Sequence, residues 1–423
     1  MHQSAHRNGP DVVVIGAGAA GTMATIFAAR AGARAVLLER TRDGGRKILI
    51  SGGGRCNILP SRMTPSQYVT ASSPNTLRRM LFSWPLDEQR SFFETELGMP
   101  LDLEPETGKL FPRSNRARDV RDTLLAVARR AGARLSFGAR VIDVVREGEG
   151  WLVTLEDGAG IRADTVVVAS GGLSVPATGS DGFGLTLARR LGHTVHDTYP
   201  ALTPLTATPP PHAHLAGVSL DVRLTAPLTK GRATTQGGFL FTHRGYSGPA
   251  VLDISHHAVR ARMEQRQQDI RVRWTELDAD GWDTLLRDAA SGTVGSLLRR
   301  HLPARLADTL LAEGDVHDDQ SLATLRREQR RVLVTLLAEY PLPWTGDEGY
   351  RKAEVTGGGI ALGEVDPHTL ESRLHPGLFW CGEVLDAFGP IGGYNFLWAW
   401  ATGRAAGIGA AARTTQTAQT GDG

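Results

Sequence analysis

The sequence predicts an α/β protein. Its frame is a Rossmann-type dinucleotide-binding domain, interrupted by a β-rich, barrel-like insertion and a small helical one. Three observations predict this. A β-branched run, Val12 to Ile15, leads straight into Gly16-Ala17-Gly18-Ala19-Ala20-Gly21. Two more glycine clusters follow strand-like apolar runs, at Ser170-Gly171-Gly172 and at Gly382-Glu383. Between them the period changes. Short alternating runs follow the Pro-rich stretch YPALTPLTATPPPHAH, and helical spacing then holds from about Asp280 to Tyr340.

The first unit reads as strand, glycine turn, helix, strand and acid. Small and apolar residues follow Gly21 at helical spacing to Ala31, Gly32 ends the helix, and RAVLLER forms the second strand. Gly16 permits the tight turn, Gly18 lets backbone approach a pyrophosphate, and Gly21 lets helix and strand pack closely. The helix N-terminus, with Ala19 and Ala20 in its first turn, offers free N–H groups and partial positive charge to phosphates. Glu39 stands 18 residues after Gly21, where an acid accepts hydrogen bonds from a ribose. An acid here favours a free 2′-hydroxyl, as in FAD or NAD, over NADP. Arg40 follows it and completes the expected contacts.

The spread of the glycine clusters decides between the two cofactors. A nicotinamide dehydrogenase needs one compact cofactor domain. Here the clusters fall at the start, middle and end of the chain, as in a two-dinucleotide-motif flavoprotein, so the expected cofactor is FAD. The Gly382-Glu383 unit then meets the ribityl chain, and a helix beginning at Gly392, Gly393, Tyr394 and Asn395 faces the isoalloxazine. Its dipole would stabilise negative charge on the reduced ring.

The stretches GRKILISGGGRCN, GKLFPRS, ASGGLSVPATGSDGFGLTLARRLGH, PALTPL, GGFLFTHRGYSGPAVLDIS, AEVTGGGIALGEVDPHTLESR and GLFWCGEVLDAFGPIGGYNFLWAWATG cover most of the chain from Asp11 to about Gly407. As a set they resemble the bacterial BaiN-like NAD(P)/FAD-dependent oxidoreductases, also called the aminoacetone oxidase family of FAD-binding enzymes. One departure is visible: after Asn57 this chain reads Ile58-Leu59-Pro60, where the family commonly has Thr-Asn. The resemblance implies a three-part plan. It also brings three activities: reduction of a conjugated C=C in a steroid-type acid, oxidation of a small amine, and reduction of uridine to dihydrouridine in large-subunit ribosomal RNA.

The domain expectation is an FAD domain at 9–194 plus 354–410, a β-rich substrate domain at 195–275 plus 341–353, a helical insert at 276–340, and a disordered tail at 411–423. Residues 139–168 alternate like a hairpin layer on the FAD domain, with Val141 placed to turn its backbone to the adenine.

Several residues carry chemistry. In GRKILISGGGRCN, Arg46 and Lys47 are expected near the pyrophosphate or a substrate anion. Ser51, Gly52 and Gly53 bring backbone N–H groups to the flavin edge, and Arg55 and Asn57 add donors near its carbonyls. Cys56 beside Arg55 is a candidate proton donor with a favoured thiolate, against the alternative of a small packing residue. Of Glu383 and Asp386, the first is the chosen ribityl ligand, and the second either binds cofactor or caps backbone. Tyr394 stacks on the ring or lines the substrate cavity. His243 and Arg244, with Tyr246 and Ser247, are candidates to face the flavin in the β-rich domain. No metal constellation stands out.

Net charge is +2, which gives no bulk argument for nucleic acid, and none for DNA. Fifty glycines in 423 residues exceed the usual ~7% and suit many close backbone approaches. Two cysteines argue against a disulfide framework and for a reducing cytosol. The first ten residues lack the apolar core of a signal peptide, and no run is long enough to span a bilayer. Electrons can enter from NAD(P)H docked at the flavin, from another protein, or from an oxidised substrate. The favoured reading is reduction of a conjugated C=C, with ribosomal RNA the first substrate to test. The stretch 113–134 holds seven Arg against two Asp, whereas 276–340 holds eight Arg against twelve acids. A small-amine oxidase is the rival, and a non-catalytic flavin-binding sensor or assembly protein is the third class.

Overall fold

Val12–Ile15 (β1) is buried at every position, as a β-branched run should be when helices cover both faces of a parallel sheet. The computed structural model describes residues 9–288 and 291–420, with side chains described to residue 415. β1 feeds the helix Ala19–Arg30 (α1), which returns the chain to Ala35–Glu39 (β2). Two short strands, Leu59–Pro60 (β3) and Leu101–Glu104 (β4), flank Lys109–Pro112 (β5) in a small antiparallel sheet. Arg134–Phe137 (β6) then joins the main sheet beside β2. Val141–Glu147 (β7), Gly150–Leu155 (β8) and Gly160–Ala163 (β9) form an antiparallel meander, bulged between Val141 and Asp143. Thr165–Val168 (β10) pairs with β1 in parallel.

The main sheet runs in the order Leu378–Trp380, β10, β1, β2, β6. Strand order therefore reverses between β1 and β10. In open α/β sheets that reversal opens a crevice at the carboxyl ends of the strands.

The chain divides into two units. The first holds the residues up to Thr198 together with those from Val355, and the second is Tyr199–Glu354. The second unit has its own core. It contains a seven-stranded antiparallel sheet in the order Tyr340–Pro341, Arg271–Arg273, Ser219–Pro227, Arg232–Thr242, Gly245–Ser247, Leu205–Thr206, Gly346–Asp347. Its two edge strands do not pair with each other. The helix Pro249–Met263 and the helices between Ala279 and Ala338 complete this unit.

The C-terminal helix corrects the expectation of a disordered segment from 411. It runs Tyr394–Thr420, and Ala410, Ala411 and Thr414 are buried. Small residues make this contact. A Cβ on Gly403 would sit 2.3 Å from the Ala20 oxygen, and one on Gly407 would sit 2.2 Å from the Ala24 oxygen. The helix thus lies directly on α1. The last three residues of the expected tail lie outside the described residues. Among the described residues, no helix is long and apolar enough to cross a membrane.

Candidate active site

The three glycines after β1 do different work. A Cβ on Gly16 would lie 2.6 Å from the Ala169 oxygen, and one on Gly21 only 1.8 Å from the Gly16 oxygen. Backbone fills both places. A Cβ on Gly18 would meet nothing within 4 Å. Gly18 is also the N-cap of α1, without a side-chain cap and with no acid in the first turn. An uncapped helix end facing open space suits an anion. Glu39 is 8% exposed, and its carboxylate accepts from the Ala17 N–H at 2.8 Å, the Thr41 N–H at 2.8 Å and the Thr41 hydroxyl at 2.7 Å. It therefore braces the glycine loop from below. Arg40 pairs with Asp181.

Arg46 and Lys47 differ from the expectation that they meet a phosphate or substrate anion. Arg46 pairs with Asp43 at 2.8 Å. Lys47 donates to Glu383 at 2.5 Å and to Ser174 at 2.7 Å. Glu383 also accepts from the Ser174 hydroxyl at 2.6 Å and from the Thr356 N–H at 3.0 Å. This half-buried network joins the first, middle and last glycine regions. Gly172 lies hard against it, since a Cβ there would be 2.3 Å from Thr356 Oγ1. Ser174 and Thr356 were not singled out in the sequence. Each lies inside one of the matching stretches, but nothing local marks its role. Ser170 holds the turn beyond, accepting from the Gly184 N–H at 3.1 Å, while Gly171 takes φ 74°.

Gly52, Gly53 and Gly54 follow one another at φ 55°, 67° and 86°, a run that only glycine adopts readily. A Cβ on Gly53 would meet nothing within 4 Å, and one on Gly52 would lie 3.1 Å from the Phe111 ring. The Ser51 hydroxyl turns back to the Ile48 carbonyl at 2.7 Å. Arg55 stacks on Phe111, its guanidinium carbon 3.9 Å from the ring centroid, and reaches Glu104 at 3.2 Å. The Glu104 carboxyl is held below its ordinary value, most of all by the Thr107 hydroxyl and then by Arg55 and Lys109. Asn57 Oδ1 is a buried acceptor with no partner. A buried acceptor left unmatched is the kind of atom a ligand donor satisfies.

Cys56 differs from the expected favoured thiolate. Its side chain is fully buried, and burial pushes its thiol up to about 12, although the Ser51 hydroxyl pulls the other way. Arg55 is engaged with Glu104 and Phe111. Cys381 is also buried and raised for the same reason.

At the last glycine region, the Gly382 N–H donates to Thr402 Oγ1 at 3.0 Å, and its carbonyl accepts from the Trp398 indole at 3.0 Å. Asp386 is not free for a cofactor. Its Oδ2 accepts from the Thr70 hydroxyl, the Ala71 and Ser72 N–H groups and the Ser72 hydroxyl, all within 2.8–2.9 Å. It caps a distant turn. The Asn395 side chain is likewise spent on the 389–390 loop, accepting from the Gly389 N–H at 2.9 Å and donating to the Gly389 carbonyl at 3.0 Å. The Tyr394 hydroxyl accepts from Gln67 at 2.8 Å and donates to the Arg62 carbonyl at 3.1 Å. Gly392 and Gly393 both take positive φ, and a Cβ on Gly393 would strike the Leu59 backbone at 2.5 Å. Val141 opens β7, buried.

His243 belongs to the second unit, exposed on the turn between Arg232–Thr242 and Gly245–Ser247. Tyr246 beside it departs from the expected ligand-facing role. It is fully buried, with its hydroxyl 2.9 Å from His212 Nδ1 and 3.1 Å from the Pro343 carbonyl. This unit also holds a cavity of about 470 Å³ lined in part by Arg262, Arg266 and Arg271. Each of these arginines already faces a carboxylate: Asp347, Glu264, and Asp269 with Glu339.

Comparison with known proteins identifies the family. The HI0933-like protein Rossmann domain family matches residues 10–409. A 3-dehydro-bile acid delta(4,6)-reductase of Clostridium scindens is 34% identical over 95% of this chain and 98% of that protein. A ribosomal RNA dihydrouridine synthase of Escherichia coli is 33% identical over 93% of this chain and 96% of that one. The fold of a flavocytochrome c3 fumarate reductase in its open conformation matches with a TM-score of 0.51 at 18% identity, covering 96% of this chain and 78% of that chain. The chain belongs to the HI0933-like Rossmann-domain family and is an FAD-dependent oxidoreductase.

Proposed function

We propose that the protein reduces a conjugated C=C at the expense of NAD(P)H, and that its substrate is uridine in large-subunit ribosomal RNA, modified in the cytoplasm. The two full-length relatives support this reading, because their named reactions share one chemistry. Dihydrouridine differs from uridine by two hydrogens across a C=C next to a carbonyl. A delta(4,6)-reductase acts on C=C bonds in a 3-dehydro acid. The basic stretch supports the polymeric substrate. Of the seven arginines in 113–134 only Arg121 is buried; Arg113, Arg116, Arg118, Arg129, Arg130 and Arg134 are exposed. Exposed arginines in one segment suit phosphates.

FAD fits the residues present. In this reading the pyrophosphate rests on Gly16, Gly18, Gly21 and the first turn of α1 at Ala19 and Ala20. Glu39 and Arg40 serve the ribose, and Val141 serves the adenine. Glu383, held by Lys47 and Ser174, serves the ribityl chain beside Gly382. Gly53 leaves open space for the ring, Gly171, Gly172, Gly52, Gly392 and Gly393 let neighbouring protein close up beside it, and Asn57 Oδ1 gains a partner. Bound FAD supplies two-electron hydride chemistry. Tyr394 serves as a substrate contact. In this reading Cys56 is a packing residue, because its side chain is fully buried within the hydrophobic core.

The test is to delete the gene and map dihydrouridine in ribosomal RNA. Loss of one site, restored by the intact gene, is expected. An unchanged map removes the RNA substrate and leaves a steroid-type acid to try next.

A further inference from the structure

We infer that Lys109 is a catalytic cation at the reacting end of the cofactor site, where it holds the negative charge that the ring gains on reduction. This rests on the FAD reading above.

Lysine is scarce here. Of 47 basic residues only Lys47, Lys109, Lys230 and Lys352 are lysines. Where the two side chains are interchangeable, this chain uses arginine, so a retained lysine marks a place suited to a compact ammonium. Lys47 is tied to Glu383. Lys109 sits on β5, two residues before Phe111, so both side chains leave the same face of the strand. That face bridges two glycine loops. Phe111 lies 3.1 Å from the Cβ position of Gly52, while Lys109 Cε and Cγ lie 3.6 and 3.7 Å from the Cβ position of Gly392. The Tyr394 ring edge is 3.8 Å from the same point.

Local charge points the same way. Lys109 is the cross-strand partner of Glu104, which also binds Arg55. Glu104 is already paired with Arg55, and Lys109 acts on it only as a more distant charge. The C-terminal helix starts beside Gly392 with no acid in its first turn, which adds partial positive charge at its N-terminus. Lys109 is only half-buried.

The test uses the full-length holoprotein and reads the midpoint potential of bound FAD, with FAD retention measured beside it. In Lys109→Met, reduced FAD should bind about tenfold more weakly relative to oxidised FAD, a potential about 30 mV more negative. Lys109→Arg, which keeps the charge but not the compact ammonium, should recover the potential only in part. Glu104→Gln, which removes the counter-acid, should shift it the opposite way and keeps the test open if Lys109→Met does not fold. Potentials unmoved in the Lys109 and Glu104 variants, with FAD retained, overturn the role of Lys109 alone. A wild-type protein that takes up no FAD overturns the FAD reading and this inference together.

Discussion

Cys56 follows an arginine in sequence, yet its surroundings in space are apolar and closed. Adjacency in a chain gives no assurance of adjacency in charge, because Arg55 is drawn off to Glu104 and Phe111. Burial then dominates the thiol. Cys56→Ala should therefore keep FAD and turn over within about twofold of wild type, while losing about 1 kcal/mol of stability by denaturant titration. A large loss of turnover with FAD retained would restore the proton-donor role. A second residue-scale prediction concerns His256, whose ring lies tilted against His257 at 3.9 Å between centroids and which is pushed down to about 3, chiefly by burial and then by His257. The folded protein binds fewer protons here than the unfolded chain. Its contribution is intact above the unfolded value near 6.5 and is lost as pH falls toward 3, at about 1.4 kcal/mol per pH unit. Denaturant midpoints at pH 7 and pH 5 should separate in the wild type and draw together in His256→Gln.

At the scale of elements, the glycine turn after β1 carries the sharpest contrast. Gly18 has φ −75°, which alanine adopts freely, and open space beyond it. Gly18→Ala should fold normally. A methyl pressed against a bound pyrophosphate costs roughly 1–3 kcal/mol, so FAD affinity should fall about tenfold or more. Gly21→Ala places a methyl 1.8 Å from a backbone oxygen. That change should cost about 3 kcal/mol or more of stability, seen as a lowered melting temperature before any cofactor is added. Equal behaviour of the two variants would remove the ligand reading of Gly18. What was legible in the sequence follows the same division. The β1–α1–β2 unit and its acid are local, so spacing alone located them. Asp386 and Asn395 were not legible, because the donors of Asp386 lie at 70–72, over 300 residues away, and those of Asn395 lie in a loop without regular period. The last helix was cut short at 410 because its end lacks an apolar stripe. Its packing rests instead on Gly403 and Gly407, which a reading of apolar periodicity passes over.

On the scale of the whole molecule, the chain divides at Thr198 and again at Val355, near the places where the period changes in the sequence. The tasks of the second unit were less legible there. Tyr246 stands beside His243 in sequence but belongs to a buried network with His212, Tyr340 and Glu313. Sequence adjacency put both on one surface, whereas His243 lies on an exposed turn and Tyr246 on the strand after it, its side chain buried. Charge divides along the chain as well, with exposed arginines at 113–134 and an acidic helical stretch at 276–340. If RNA is the substrate, its phosphates should favour the first. Charge reversal at Arg116 and Arg118 should then weaken RNA binding and flatten its salt dependence. The central claim is that electrons flow from a nicotinamide through FAD to a C=C. Its most direct measurement is anaerobic mixing of the purified holoprotein with NADH, NADPH and aminoacetone in turn, following the flavin absorbance. Bleaching by a nicotinamide and none by aminoacetone is the predicted result; bleaching by aminoacetone alone would contradict it.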